Sequence, residues 1–393
     1  MSAPVIERGK LPQAVWALGF VSLFMDFSSE LVHSLLPIFM TGVLGASMVA
    51  VGLVEGFAEA AAAVLKVFSG VLSDRTGRRK PLVVLGYGLA ALSKPLFPLA
   101  SSIGLVFGAR VMDRIGKGIR GAPRDALIAD VTPAPLRGAA YGLRQALDSL
   151  GAVLGPLAAV GLMLLLASDI RAVLWLAGVP ALVAVGILVL AVREPQAHAA
   201  SSAPRSVSFA GLGSLGARYW AIVALGAVLT LARFSEAFLV LRAQDLGLSA
   251  AWAPLVMATM AATYALLSYP AGLAADRGHR RALLVWGFAA LIAADLILAG
   301  AASIGALFAG VLLWGAHMGL TQGLLSALVA DACPDRLRGT AFGLFHLVSG
   351  AALLAASVIA GALWQSFGPA YTFAAGAAFT AAALAGLLLA ARR

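Results

Sequence analysis

Residues 103–130 read IGLVFGARVMDRIGKGIRGAPRDALIAD. As a helix this stretch rises about 42 Å, enough to cross a bilayer. It nevertheless carries Arg110, Asp113, Arg114, Lys117, Arg120, Arg124 and Asp125 among its glycines and aliphatics. At about 100° per residue these side chains fall within one arc of roughly 140°. Arg114 sits near the middle, where a bare charge costs roughly 3 kcal/mol or more. The stripe must therefore face protein or water, and the helix must be enclosed by others.

The stretch has an echo. Residues 304–331, IGALFAGVLLWGAHMGLTQGLLSALVAD, align with it without gaps, with identities that include Phe107/Phe308, Gly118/Gly319 and Asp130/Asp331. Every charge of the stripe is replaced: Arg110 by Val311, Asp113 by Trp314, Arg114 by Gly315 and Lys117 by Met318. Other pieces repeat at similar spacing, GVLSDRTGRR at 70–79 against GLAADRGHRR at 272–281, and ADVTPAPLRGAAYGL at 129–143 against ADACPDRLRGTAFGL at 330–344. The chain reads as two copies of one design, with the ionic chemistry in the first.

Hydrophobic residues make up 61% of the chain and charged ones 12%, and the mean hydropathy is +0.95. That composition, with apolar runs of about 20 residues recurring throughout, predicts a polytopic all-α membrane protein. Twelve spans are expected, near 14–40, 49–72, 81–99, 103–128, 139–166, 172–192, 218–242, 251–274, 282–300, 304–329, 339–364 and 370–390. The net charge of +10 raises nucleic acid as a partner, but its placement answers otherwise. Arg75, Arg78, Arg79, Lys80, Arg137, Arg193, Arg277, Arg280, Arg281, Arg336 and Arg338 fall in alternate loops. The opposite loops hold only Arg171 and Arg242. This is the positive-inside pattern, and it places both termini in the cytoplasm. The polar lead MSAPVIERGKLPQ lacks the form of a cleaved signal peptide, so the expectation is that it is retained. One cysteine, Cys333, excludes an intramolecular disulfide and a multi-cysteine metal site. The Ala/Ser/Pro-rich segment 193–217 reads as a flexible cytoplasmic linker. It divides the chain into residues 1–192 and 218–393, two pseudo-symmetric six-helix bundles.

Gly70-Val-Leu-Ser-Asp74-Arg75-Thr-Gly77-Arg78-Arg79-Lys80 resembles the G-x-L-x-D-R-x-G-R-R/K loop of the major facilitator superfamily. Arg114-Ile-Gly-Lys-Gly118 is similar to that superfamily's R-x-x-x-G signature in span four. Gly151-Ala-Val-Leu-Gly155-Pro156 is similar to the G-x-x-x-G-P antiporter motif of span five, although Ala158 and Ala159 stand where paired glycines usually follow. The resemblance covers the whole chain and points to the drug/proton antiporter-like bacterial branch. It implies a secondary transporter rather than an enzyme, working by alternating access around a cavity between the halves. It also implies a cytoplasmic latch at the span-two loop. There Gly70 and Gly77 permit a tight corner, and Asp74 can accept from helix N-terminal N–H groups or from a base such as Arg137.

The candidate coupling and cavity residues follow from helical spacing. In span one, Asp26, Glu30 and His33 share a face, and Asp26 and Glu30 stand one turn apart. Intramembrane carboxylates so placed suit a proton relay, or a fixed pairing with the span-four stripe; both readings stay open. Glu30 ranks above Asp26 as coupling residue, because the repeat keeps an acid at Glu236 but has Ala232 opposite Asp26. Glu55 and Glu59 share a face in span two, and Arg144 and Asp148 stand four apart in span five. With Arg110, Asp113, Arg114 and Lys117 these make a near-balanced set of acids and bases, which favours a paired network. Arg233 and Glu236 are expected to face the cavity from span seven. No phosphate-binding loop, catalytic triad or cofactor motif is present. A metal site of Asp26, Glu30 and His33 is conceivable by ligand type, but such sites usually want more ligands; no metal is assigned.

The expected function is proton-coupled efflux of a small molecule by a monomer in a bacterial inner membrane. The alternatives are export of a metal ion, of the nickel type, or transport of an organic anion or metabolite using Arg114 and Lys117.

Overall fold

A computed structural model of the chain describes residues 10–76, 78–193, 215–333 and 338–390. Most of the expected linker, 193–217, falls outside them. The fold is all-helical. The first half comprises α1 (Gln13–Ile38), α2 (Met48–Thr76), α3 (Lys80–Ser93), α4 (Leu96–Leu99), α5 (Ile103–Val131), α6 (Arg137–Leu165), α7 (Ile170–Leu176) and α8 (Gly178–Ala191). The second comprises α9 (Ala217–Ala232), α10 (Ala237–Asp245), α11 (Leu255–Ala274), α12 (Arg280–Gly300), α13 (Ile304–Asp331), α14 (Arg338–Phe367) and α15 (Pro369–Ala390). Among the described residues, ten helical stretches are long and apolar enough to cross a membrane. One of them, Leu255–Gly300, contains both α11 and α12, and turns between them at Gly278, whose φ of 94° lies in the left-handed region open to glycine. The charged α5 is not among the ten.

The internal repeat is visible in the backbone. Ser102 caps α5 with φ −147° and ψ 158°, its hydroxyl accepting from the Leu105 N–H. Ser303 caps α13 with φ −146° and ψ 157°, accepting from the Ala306 N–H. Three expected spans are broken where the sequence predicts continuous helix. Pro95 cannot donate to the Ala91 carbonyl, and the chain restarts as α4; Pro180 likewise cannot donate to the Leu176 carbonyl, and α7 gives way to α8. The Ala177 carbonyl at that second break accepts from Ser28 Oγ of α1 at 2.6 Å. The third break, residues 233–236 between α9 and α10, has no proline. Here the Ser235 N–H donates to Ser357 Oγ of α14 at 3.3 Å.

Within the first half, α1 packs on α6 and α8, and α5 lies between α2 and α3. In the second half, α13 lies between α11 and α12, and α15 packs on α9 and α12. The halves meet where α2 runs along α14, α6 along α11, and α1 against α10. The α2–α14 seam is built on small residues. A Cβ at Gly56 would come within 2.9 Å of Leu354 Cα, and Gly52 and Gly361 face the Ser357 and Met48 carbonyls still more closely.

Candidate functional site

Glycines bring the charged stripe into place. A Cβ on Gly116 would lie 2.5 Å from the Gly86 carbonyl of α3, and one on Gly118 would lie 2.8 Å from the Ala62 carbonyl of α2. Such close backbone approach settles α5 against both neighbours and encloses Arg110, Asp113, Arg114 and Arg120, all 3% exposed or less. Lys117 points from the same helix into open space.

The stripe finds a carboxylate at nearly every turn. Arg110 donates to Glu55 at 2.6 Å, with both side chains buried. Arg114 meets Glu59 at 3.1 Å and Asp113 at 3.4 Å. Lys94, at the end of α3, donates to Asp113 at 2.8 Å and to Ser29 Oγ at 3.0 Å. His33 bridges two acids, its Nδ1 3.3 Å from Glu30 and its Nε2 3.4 Å from Glu55. One turn nearer the DRTGRR loop, Arg120 stacks 4.6 Å over the Tyr87 ring and approaches Asp26 at 3.9 Å. Arg124 lies 3.1 Å from Asp125 and 3.9 Å from Asp148, and Arg144 reaches Asp148 at 3.5 Å. Asp26 and Asp148 both line the cavity beside these arginines.

This network forms one wall of a cavity of about 650 Å³. Asp26, Glu30, His33, Glu55, Glu59, Arg114, Lys117 and Asp148 line it, while Arg110 and Asp113 stand behind as counter-ions and Arg144 holds Asp148. The opposite wall comes from the second half and is mostly neutral: Phe234, Met257, Met260, Tyr264, Met318 and Phe345, with Arg233 and Glu236 at the α9–α10 break. Sequence reasoning brought Arg233 and Glu236 to the cavity but missed the methionine and aromatic wall. Met318, at least, is marked by the repeat, since it occupies the position of Lys117.

The remaining motifs sit away from the cavity. Gly151 and Gly155 turn toward α1, where a Cβ on Gly155 would fall 2.5 Å from the Phe27 carbonyl and one on Gly151 would press on the Leu23 carbonyl. Pro156 is buried beside them. The span-five motif thus forms the α1–α6 contact. In the loop motif, Gly70 faces Ala122 of α5, a Cβ there lying 3.4 Å from the Ala122 methyl. Gly77 and the side chains of Asp74 and Arg75 lie outside the described residues, so the Asp74 latch does too. Arg78 is exposed, and Arg79 pairs with Asp130 of α5 at 2.6 Å, a partner the motif alone does not indicate.

A bundle of membrane-length helices around a charged, water-accessible cavity defines an integral membrane transporter rather than an enzyme. The chain belongs to the Major Facilitator Superfamily, whose family model matches residues 18–241 and 207–393. An uncharacterized MFS-type transporter of Methanocaldococcus jannaschii is 33% identical over 388 residues, covering 97% of this chain and 95% of its own length. Multidrug resistance protein MdtH of Proteus mirabilis is 33% identical over 174 residues, 44% of this chain and 38% of that protein. Among solved structures, a bacterial homolog to the human lysosomal transporter Spinster, inward-facing and unoccupied, has a TM-score of 0.75 at 18% identity over 98% of both chains. The nucleoside transporter NupG has a TM-score of 0.81 at 11% identity, over 96% of this chain and 99% of its own. These two likenesses bear on the fold alone.

Proposed function

We propose that this carrier exports a small molecule in exchange for protons, by alternating access. The observation that carries the reading is two cavity-lining carboxylates, Asp26 and Asp148, each set 3.9 Å from an arginine of α5, Arg120 and Arg124. A carboxyl group in this setting releases its proton when the arginines draw closer and regains it when they move off. The partial likeness to MdtH, whose name speaks of multidrug resistance, supports outward transport. Glu30, the first choice from spacing, is engaged by His33, and this favours Asp26 with Asp148 as the seat of coupling.

The architecture proposed with this function has twelve spans: the ten apolar stretches, with Leu255–Gly300 counted as two, and the charged α5. They form bundles over 1–192 and 218–393, joined by 193–217 on the cytoplasmic side. Both termini are cytoplasmic, and the carrier works as a monomer in the inner membrane. The Arg/Lys placement and the packing of each half on itself support this arrangement. Export of a metal ion is less well supported, because Glu30 and His33 pair with each other, His33 also reaches Glu55, and Asp26 turns away from them to Arg120.

Growth of an overexpressing strain against drugs, metals and organic anions supplies a transported compound. In proteoliposomes, Asp26→Asn is then expected to abolish accumulation driven by a pH gradient while preserving substrate counterflow, which needs no net proton movement. Glu30→Gln is expected to retain part of the gradient-driven transport. Asp26→Asn vesicles that still concentrate the compound when a gradient is imposed would overturn the assignment.

A further inference from the structure

We infer that the cavity binds an organic anion with an apolar body. The inference names the cargo class of the transporter proposed above and rests on that reading. It begins with which charges are already matched. On the first-half wall each carboxylate has a basic side chain within ion-pair distance: Glu30 has His33, Glu55 has Arg110, Glu59 has Arg114, and Asp148 has Arg144. Asp26 and Asp125 have Arg120 and Arg124. Three cations that line the same cavity, Lys66, Lys117 and Arg233, form no ion pair among the described residues. Glu236 is the one lining carboxylate among the described residues in the same condition. The unmatched charge of the cavity is therefore positive.

Placement strengthens the point. Lys66 and Lys117 are exposed to the cavity rather than buried, so water can solvate them until a ligand arrives. Arg233 stands across from them at the α9–α10 break, where the interrupted helix leaves its side chain free of a regular helical face. A guanidinium presents paired N–H donors that match a carboxylate or phosphate, and ammonium groups add charge without fixed direction. An organic cation would find only Glu236 unmatched, and Arg233 three residues away competes for it.

The rest of the ligand is read from the other wall. Tyr264 offers a ring to the cavity, and Met257, Met260, Met318 and Phe345, all buried, close the wall behind it with polarizable and aromatic groups. A volume of about 650 Å³ falls in the usual range for sites that enclose small organic molecules. A fully hydrated inorganic anion would leave this wall unused.

The test is equilibrium binding to the purified full-length protein in nanodiscs, by calorimetry, with probes that share one ring system. The probes are 1-naphthoate, 1-naphthylmethylamine and 1-naphthalenemethanol. The expected order is naphthoate tightest, with the alcohol and the amine at least about tenfold weaker. Lys117→Gln and Arg233→Gln should each weaken naphthoate by about tenfold, and Lys117→Arg should restore most of the loss. Thermal melting separates lost binding from lost folding. A parallel arm compares lysophosphatidate with lysophosphatidylcholine. Preference for lysophosphatidate with no naphthoate binding would keep the anionic class and place its source in lipid. An amine that binds as tightly as naphthoate, or folded Lys117→Gln and Arg233→Gln proteins with unchanged naphthoate affinity, overturns the inference. Binding in the expected order without any gradient-driven transport would instead count against proton coupling and leave the anion site standing.

Discussion

Arg110 shows how a single residue in this protein is held. It is fully buried, and Glu55, itself 1% exposed, accepts from it at 2.6 Å. Two charges taken out of water are tolerated only together; removing one partner of such a pair typically costs about 3–5 kcal/mol. Arg110→Ala should therefore lower the melting temperature in detergent markedly, and adding Glu55→Gln should recover part of the loss. A single variant that melts like the wild type would mean that the pair is hydrated. The acids and bases of this network could be named from spacing, since each shares a face with the others on its own helix. Their pairing could not. Lys94 reaches Asp113 because Pro95 ends α3 beside α5, and no helical periodicity carries that information. Asp295, which occupies the repeat position of Lys94, is fully buried with neither oxygen hydrogen-bonded among the described residues. Here the repeat foretells a polar residue but not its loneliness, because the partner position has become Trp314.

At the scale of elements, glycines decide which helices touch. Gly155 admits the α1 backbone to within a distance that a methyl group would occupy. Gly155→Ala must push α1 and α6 apart, and overpacking of this kind costs about 1–3 kcal/mol. A methyl group added at Gly161, on the same helix, would meet nothing within 4 Å, so Gly161→Ala should melt like the wild type or slightly higher. Equal melting temperatures for the two variants would show that the α1–α6 contact is looser than described. The G-x-x-x-G-P motif was legible as a pattern, and its structural work became clear only with α1 in place. Breaks at Pro95 and Pro180 had a visible cause in proline. The break at residues 233–236 had none, since it depends on Ser357 of α14 offering a hydrogen-bond acceptor from far along the chain.

The whole molecule is the scale at which the sequence was most transparent. Equal caps at Ser102 and Ser303, and the two long helices that follow each, α5 and α6 in one half and α13 and α14 in the other, follow from a repeat that can be aligned by eye. On the proposed cycle the first-half loop motif carries the latch, and its second-half copy is a weaker echo with Asp276 exposed. Asp74→Asn should thus cut transport severalfold while the protein inserts and folds normally, and Asp276→Asn should do less. The check is transport per correctly inserted molecule; wild-type rates in both variants would remove the latch from the mechanism. What remained hidden at this scale was the cavity's second wall, since methionines and aromatics on membrane helices look the same whether they face lipid, neighbours or cargo.

The glycine-lined seam between α2 and α14 bears on what the surrounding lipid sees. Along it the two backbones approach closely at Gly52, Gly56 and Gly361, and Gln365 of α14 reaches across to the Val49 N–H. A joint of this form can roll as a bearing does, keeping its line of contact while the ends on either side swing apart or together. Acyl chains beside the seam would then meet an unbroken surface at every stage of the cycle, and the charges within would be shielded from sideways leakage of lipid into the cavity.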